Sequence, residues 1–196
     1  MTREQLAERA LALVDAIAHE TQNISVPSSL RNRLALAAYG TVLEHQHAIA
    51  ILVREWRLPS AFALLRSLWE AYIRALWIVH CATDDEIEVA SKKKMPDAKD
   101  VVAALEAHTY LGNGELARFK GSHWSAMCDY AHTGALQLQR WQGEEYVEPH
   151  HSVEETAEVL YVAGLYGSFA GAGQAALADD IDKAQRLLKI AEELKP

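Results

Sequence analysis

Cysteine is nearly absent: Cys81 and Cys128 are the only two in 196 residues. Their number and spacing support neither a disulfide framework nor a zinc site, so the fold must be held by its core. Each sits in an apolar helical stretch and reads as a buried thiol. Five prolines and ten glycines leave few obligatory breaks. With abundant Ala and Leu, that scarcity favours helices over strands. Positive charge is short as well. Nineteen Lys and Arg stand against 27 Asp and Glu, a formal net charge of -8. Nucleic-acid binding relies on clustered cations to neutralise phosphates, so this balance disfavours it. The one basic run, Lys92-Lys93-Lys94, reads as a solvated helix end. Met1-Thr2-Arg3-Glu4 offers no apolar stretch of the kind that opens a secretion signal, so the expected location is cytoplasmic. Glycine-rich nucleotide loops and the Gly-x-Ser-x-Gly elbow are missing too. Only Leu136-Gln137-Leu138-Gln139 alternates, and too briefly to make a sheet.

What is present is helical periodicity. Half the residues are hydrophobic and 23% are charged, the profile of one globular domain over residues 1–196. Thr2 with Gln5 forms a capping box before a helix over about 3–22. Leu6, Ala10, Leu13, Val14 and Ile17 share one face of it. A long helix follows over about 29–56. Pro59 then suits the first turn of a third helix over about 59–82. Acidic residues from Thr83 to Glu86 open a short helix, and Pro96-Asp97 opens another reaching about Tyr110. Gly112-Asn113-Gly114 is a turn. Helical pattern resumes over 115–119 and again from Ser122 to about Trp141. Gly143 to His151 reads as an exposed loop.

Ser152 with Glu155 is a second capping box. It opens a helix whose span from Val159 to Ala178 carries no charge. That stretch has membrane length, but it is made of Ala and Gly with Ser168 and Gln174, and therefore reads as a helix buried on all sides. After Asp179-Asp180 a final amphipathic helix ends the chain. The expectation is an all-α multi-helix bundle, with long antiparallel helices around a buried central helix and no membrane span.

Three clusters could carry chemistry. In the apolar third helix, Arg66, Glu70 and Arg74 recur every four residues and stack on one face. Such charges must pair or line a cavity. Glu70 can bridge both arginines, and a guanidinium with spare donors suits phosphate or carboxylate. The second cluster is Asp129-Tyr130-Ala131-His132-Thr133-Gly134. Ser125, Asp129 and His132 share a helix face, His132 is suited to proton transfer, and Gly134 is expected to end the helix with positive φ. The third is Glu44 and His47, spaced as in di-iron bundles, but no second Glu-x-x-His exists to complete the site. Glu106-Ala107-His108 and His150-His151 are mis-spaced for that role. Neither metal nor cofactor is expected.

The stretch from Arg57-Leu58-Pro59-Ser60-Ala61 through Leu64-Leu65-Arg66-Ser67-Leu68-Trp69-Glu70 resembles a group of uncharacterised bacterial all-helical families. Their hallmark is an Arg-x-x-x-Glu helix followed by a His-x-Gly segment, which Asp129 to Gly134 is similar to. The resemblance covers roughly residues 30 to 140 and implies a helical fold with no established activity. A more distant similarity is to the HEPN superfamily of helical ribonucleases, toxins and defence components. Their Arg-x(4–6)-His site forms at a dimer interface. Arg74 with His80 and Arg118 with His123 match that spacing, but Ala75 and Phe119 stand where a polar residue often follows the arginine.

The resulting expectation is a pocket in which Glu70 and His132 do the chemistry and Arg66, Arg74, Asp129 and Tyr130 hold a small anionic or nucleotide-like ligand. The alternatives are a HEPN-like homodimeric ribonuclease and a non-enzymatic helical protein that dimerises.

Overall fold

Capping chemistry sets where the helices of this protein begin. The computed structural model describes residues 1–108, 111–143 and 146–193. Thr2 and Gln5 form a reciprocal capping box at the head of α1 (Arg3–Thr21). The Ser29 side chain accepts from Asn32 N–H and opens α2 (Leu30–Arg54). Pro59 lies in the first turn of α3 (Leu58–His80), where its missing N–H costs nothing. A Thr83–Glu86 box heads α4 (Asp84–Lys92). Asp97 precedes α5 (Ala98–Glu106), which stops before Thr109 and Tyr110; those two lie outside the described residues. Then come α6 (Glu115–Ala131) and α7 (Ala135–Gln139). The Ser152–Glu155 box opens α8 (Val153–Leu177), and α9 (Ile181–Glu193) follows.

Two expectations change here. Residues 115–131 form one continuous helix through Gly121, and the interruption falls later, at His132 to Gly134. The left-handed residue there is Thr133, at a φ of 55°, while Gly134 is extended at −75°. Gly134 N–H donates to the Asp129 carbonyl at 2.7 Å, closing a Schellman turn with Thr133 at its αL position. An isolated bridge pairs Gln142 with Val147. Glu144 and Glu145, inside the expected loop, lie outside the described residues, and no strand forms among the rest.

The centre is shared by α3 and α8. A three-residue corner folds α3 back along α2, and α3 also packs on α5, α6 and α8. α8 lies among α1, α2, α3 and α9. Leu68, Trp69, Ile73 and Ile78 of α3 are fully buried, as are Ile49 and Val53 of α2. Burial of each such side chain contributes about 1.5–3 kcal/mol. Small residues let α8 be covered on most sides: Gly167 admits the Gln46 amide, and Gly173 admits the ring of Tyr39. No helix among the described residues is long and apolar enough to cross a membrane. The two thiols are half-buried rather than buried. Cys81 caps the end of α3, with Sγ donating to the Ala104 carbonyl at 3.7 Å.

Candidate functional site

The charged stripe of α3 forms a continuous ladder. Glu70 Oε1 accepts from Arg66 Nε at 2.9 Å, and Oε2 meets Arg74 at 2.8 Å. The side chains are 23%, 14% and 29% exposed for Arg66, Glu70 and Arg74. The ladder therefore lies at the edge of the core, with guanidinium edges reaching solvent. Arg74 Nε is buried and has no partner.

α6 packs against α3 through aromatic contacts. Phe119 stacks on Trp69 with centroids 5.6 Å apart, and Trp124 meets Trp69 edge-on at 5.8 Å. The same indole carries two cations: the Arg66 guanidinium lies 4.8 Å from its centroid and the Lys120 ammonium 5.4 Å. Electron density on the ring face attracts both. His132, at the end of α6, is exposed, and its Nε2 meets the Arg66 guanidinium. Arginine has only donors to offer. Nε2 is therefore the acceptor, which places the ring proton on Nδ1.

So the structure brings Arg66, Glu70, Arg74 and His132 together, and adds Lys120 and Trp124, which the sequence did not single out. Two cations hold one carboxylate, and a third, Lys120, shares the Trp124 indole with Arg66. Their signal was the Lys120–Trp124 pair, i and i+4 on one helix face.

The other two expected site residues are engaged elsewhere. Asp129 Oδ2 accepts from Leu136 N–H at 3.0 Å, organising the turn into α7. Tyr130 is buried against Phe62, with centroids 4.9 Å apart, and faces His151 at 6.0 Å. Burial raises the Tyr130 pKa, while the neighbouring Arg140 opposes the shift. His151 also corrects the expected loop, because it is only 6% exposed and stacks on Phe62 at 4.5 Å.

The arginine–histidine pairs of the HEPN pattern are spent separately. Arg74 holds Glu70, whereas the His80 ring faces that of His108 at 5.7 Å. Arg118 pairs with Glu115 at 3.6 Å, and His123 Nδ1 donates to the Phe119 carbonyl at 3.0 Å. Glu44 and His47 line a cleft between α1 and α2. No group of three or more potential metal-ligating side chains gathers among the described residues.

A family profile matches residues 39–196, from the middle of α2 through α9, and so takes in the whole ladder and its α6 partners. The chain belongs to the DUF6988 family, a family of unknown function. No curated protein and no solved structure matches it. α1 and the first turns of this DUF6988 protein's α2 precede the matched span.

Proposed function

We propose that this protein binds a small anionic ligand, of phosphate or nucleotide-like type, on the face shared by α3 and α6. The observation that carries the reading is the imbalance there: Glu70 is the one carboxylate paired with Arg66 and Arg74, and Lys120 joins Arg66 on the Trp124 indole, on a chain whose net charge is -8. Glu70 fixes both guanidinium planes, leaving donors that suit an oxyanion. Trp124 holds Arg66 and Lys120 in place, so it orders the cations rather than offering a free stacking face. His132, exposed beside Arg66, is the group placed to exchange a proton with a bound ligand.

The test is isothermal titration of the protein with inorganic phosphate, pyrophosphate and adenosine monophosphate at low salt. Binding should weaken about tenfold in Lys120→Gln and in Arg66→Gln, and should fall as salt rises. Lys120 is half-exposed, so its variant folds even where the Arg66 variant does not. Equal affinity in Lys120→Gln would overturn the reading.

A second reading, a helical interaction protein that works as a homodimer, is favoured by exposed apolar side chains at and beyond α7. Leu138, Trp141, Tyr146 and Val147 are 50%, 38%, 71% and 81% exposed. Sedimentation equilibrium decides it, since a monomer at all concentrations removes that reading.

A further inference from the structure

A second cleft, of about 540 Å³, opens where the start of α1, the corner between α2 and α3, and the segment leading into α8 converge. Arg3, Trp56, Arg140, His151 and Glu155 line it. Three nitrogens in this place have no hydrogen-bond partner: both ring nitrogens of His151, and Nε of Arg140. Buried polar groups are normally paired, so three orphans at one site are unusual. Of the charged groups that line the cleft, Arg3, Arg140 and Glu155 are already engaged, and Glu148 stands exposed on the rim. Glu155 holds Arg140 and accepts from Ser152 N–H at 2.8 Å. Arg3 donates to Thr156 Oγ1 at 3.3 Å and to the His151 carbonyl. What remains unanswered is the Arg140 Nε–H and the His151 imidazole, which when neutral has one donor and one acceptor.

Trp56 supplies an independent observation. It occupies the αL position of the Schellman turn that ends α2, at a φ of 58°. Arg57 N–H reaches the Leu52 carbonyl at 2.7 Å and Trp56 N–H that of Val53 at 3.1 Å. Glycine takes this conformation without steric penalty, while a bulky side chain is strained in it. The strain places the indole on the wall of the cleft, 54% exposed and braced by the Arg3 guanidinium 4.9 Å from its centroid. A planar apolar wall beside unanswered donors defines a chemistry.

We propose that this cleft binds a small planar ring bearing an oxyanion, carboxylate or phosphate. These nitrogens lie just beneath the cleft surface, so a small turn of the two side chains brings Arg140 Nε and the one N–H of neutral His151 onto the oxyanion, and the ring lies along the Trp56 indole. Burial holds His151 neutral against the pull of Glu155, so it offers one N–H beside Arg140 Nε, and an acceptor answers both. The site uses Arg3, which precedes the span matched by the family, and shares no residue with the α3–α6 face.

The experiment is isothermal titration of the full chain with benzoate and adenosine monophosphate as ring-bearing anions, and with acetate and inorganic phosphate as ringless controls. Ring-bearing anions should bind at least tenfold more tightly than their controls, and the preference between benzoate and the nucleotide identifies the oxyanion. Trp56→Gly should weaken binding at least tenfold while the thermal midpoint holds or rises, because glycine suits that φ. Arg140→Gln should weaken it comparably, and Lys120→Gln should leave the binding of benzoate, which is specific to this cleft, unchanged. The proposal is overturned if neither ring-bearing anion binds up to about 1 mM, or if Trp56→Gly binds as the wild type does. Binding lost in Lys120→Gln but kept in Trp56→Gly would also overturn it, and would assign the ligand to the α3–α6 face instead.

Discussion

A β-carbon on Gly167 would overlap the side-chain amide of Gln46, which is buried at 3% exposure where α2 crosses α8. Gln46 Nε2 already lacks a partner, so this contact is packed to its limit and cannot easily give.

Gly167→Ala should therefore destabilise the fold by about 1–3 kcal/mol, the usual cost of overpacking a core. Gln46→Ala in the same chain should recover part of that loss, because it removes the clashing atoms. Urea denaturation of both single variants and the double variant measures the coupling. Strictly additive losses would mean that the two helices relax apart.

Glu70→Ala should destabilise by about 1–3 kcal/mol, the range for hydrogen bonds to charged groups. Full burial would have implied about 3–5 kcal/mol. The partial exposure of Arg66 and Arg74 lowers the figure, since water can reach their stranded guanidinium groups. The loss should shrink in high salt. A change below about 0.5 kcal/mol in urea denaturation would show the ladder to be fully screened.

Thr133→Gly should stabilise the protein by about 1 kcal/mol by relieving a β-branched residue of its left-handed conformation. Gly134→Ala should do the reverse, although its φ is ordinary, because a β-carbon there would lie 2.6 Å from Asp129 Oδ1. Thermal midpoints of the pair should move in opposite directions. A common direction would place the turn elsewhere.

Acid should weaken the fold through three histidines. Burial lowers the pKa of His45, His80 and His151. Glu44 opposes the shift at His45, and His108 reinforces it at His80. At His151, Glu155 opposes it, while Arg140, Arg3 and His150 reinforce it. The unfolded chain takes up these protons near pH 6.5 and the folded chain only at lower pH. Their stabilisation is thus complete above about 6.5 and declines as pH falls toward the folded values, by at most about 1.4 kcal/mol per pH unit for the buried His151 and by less for His45 and for the exposed His80, where water screens the charge. Denaturation midpoints at pH 7.5 and 5.5 should differ less in His151→Phe than in the wild type. An unchanged difference would show that His151 takes up its proton equally in both states.

Most of the helical frame was legible because its signals are local. The boxes at Thr2 and Ser152, the acidic residues after Thr83 and the proline at 59 mark starts that the structure reproduces within a residue or so. The i, i+4 stripe on α3 likewise forecast the Arg66–Glu70–Arg74 ladder, since spacing on one helix determines that contact. The break between α6 and α7 was legible at Gly134, but the left-handed residue is Thr133, one position earlier. There the Asp129 carboxylate takes the Leu136 N–H that a continuous helix would have used internally. His151 was missed. Its polar neighbourhood reads as loop, and the groups that cover it, among them Phe62 from α3, Tyr130 from α6 and Arg3 from α1, are distant in sequence.

The position of α1 against both α2 and α8 has a kinetic side. The α2–α3 pair is joined by three residues, so its closure restricts little chain. Seating α1 on α8 brings together segments separated by six intervening helices and more than a hundred residues. Loop-closure entropy grows only logarithmically, roughly 0.6 kcal/mol per doubling, yet contacts this far apart in sequence slow folding. The hairpin should order early and the amino-terminal helix dock late, so the Arg3 wall of the second cleft is assembled among the last parts of the molecule.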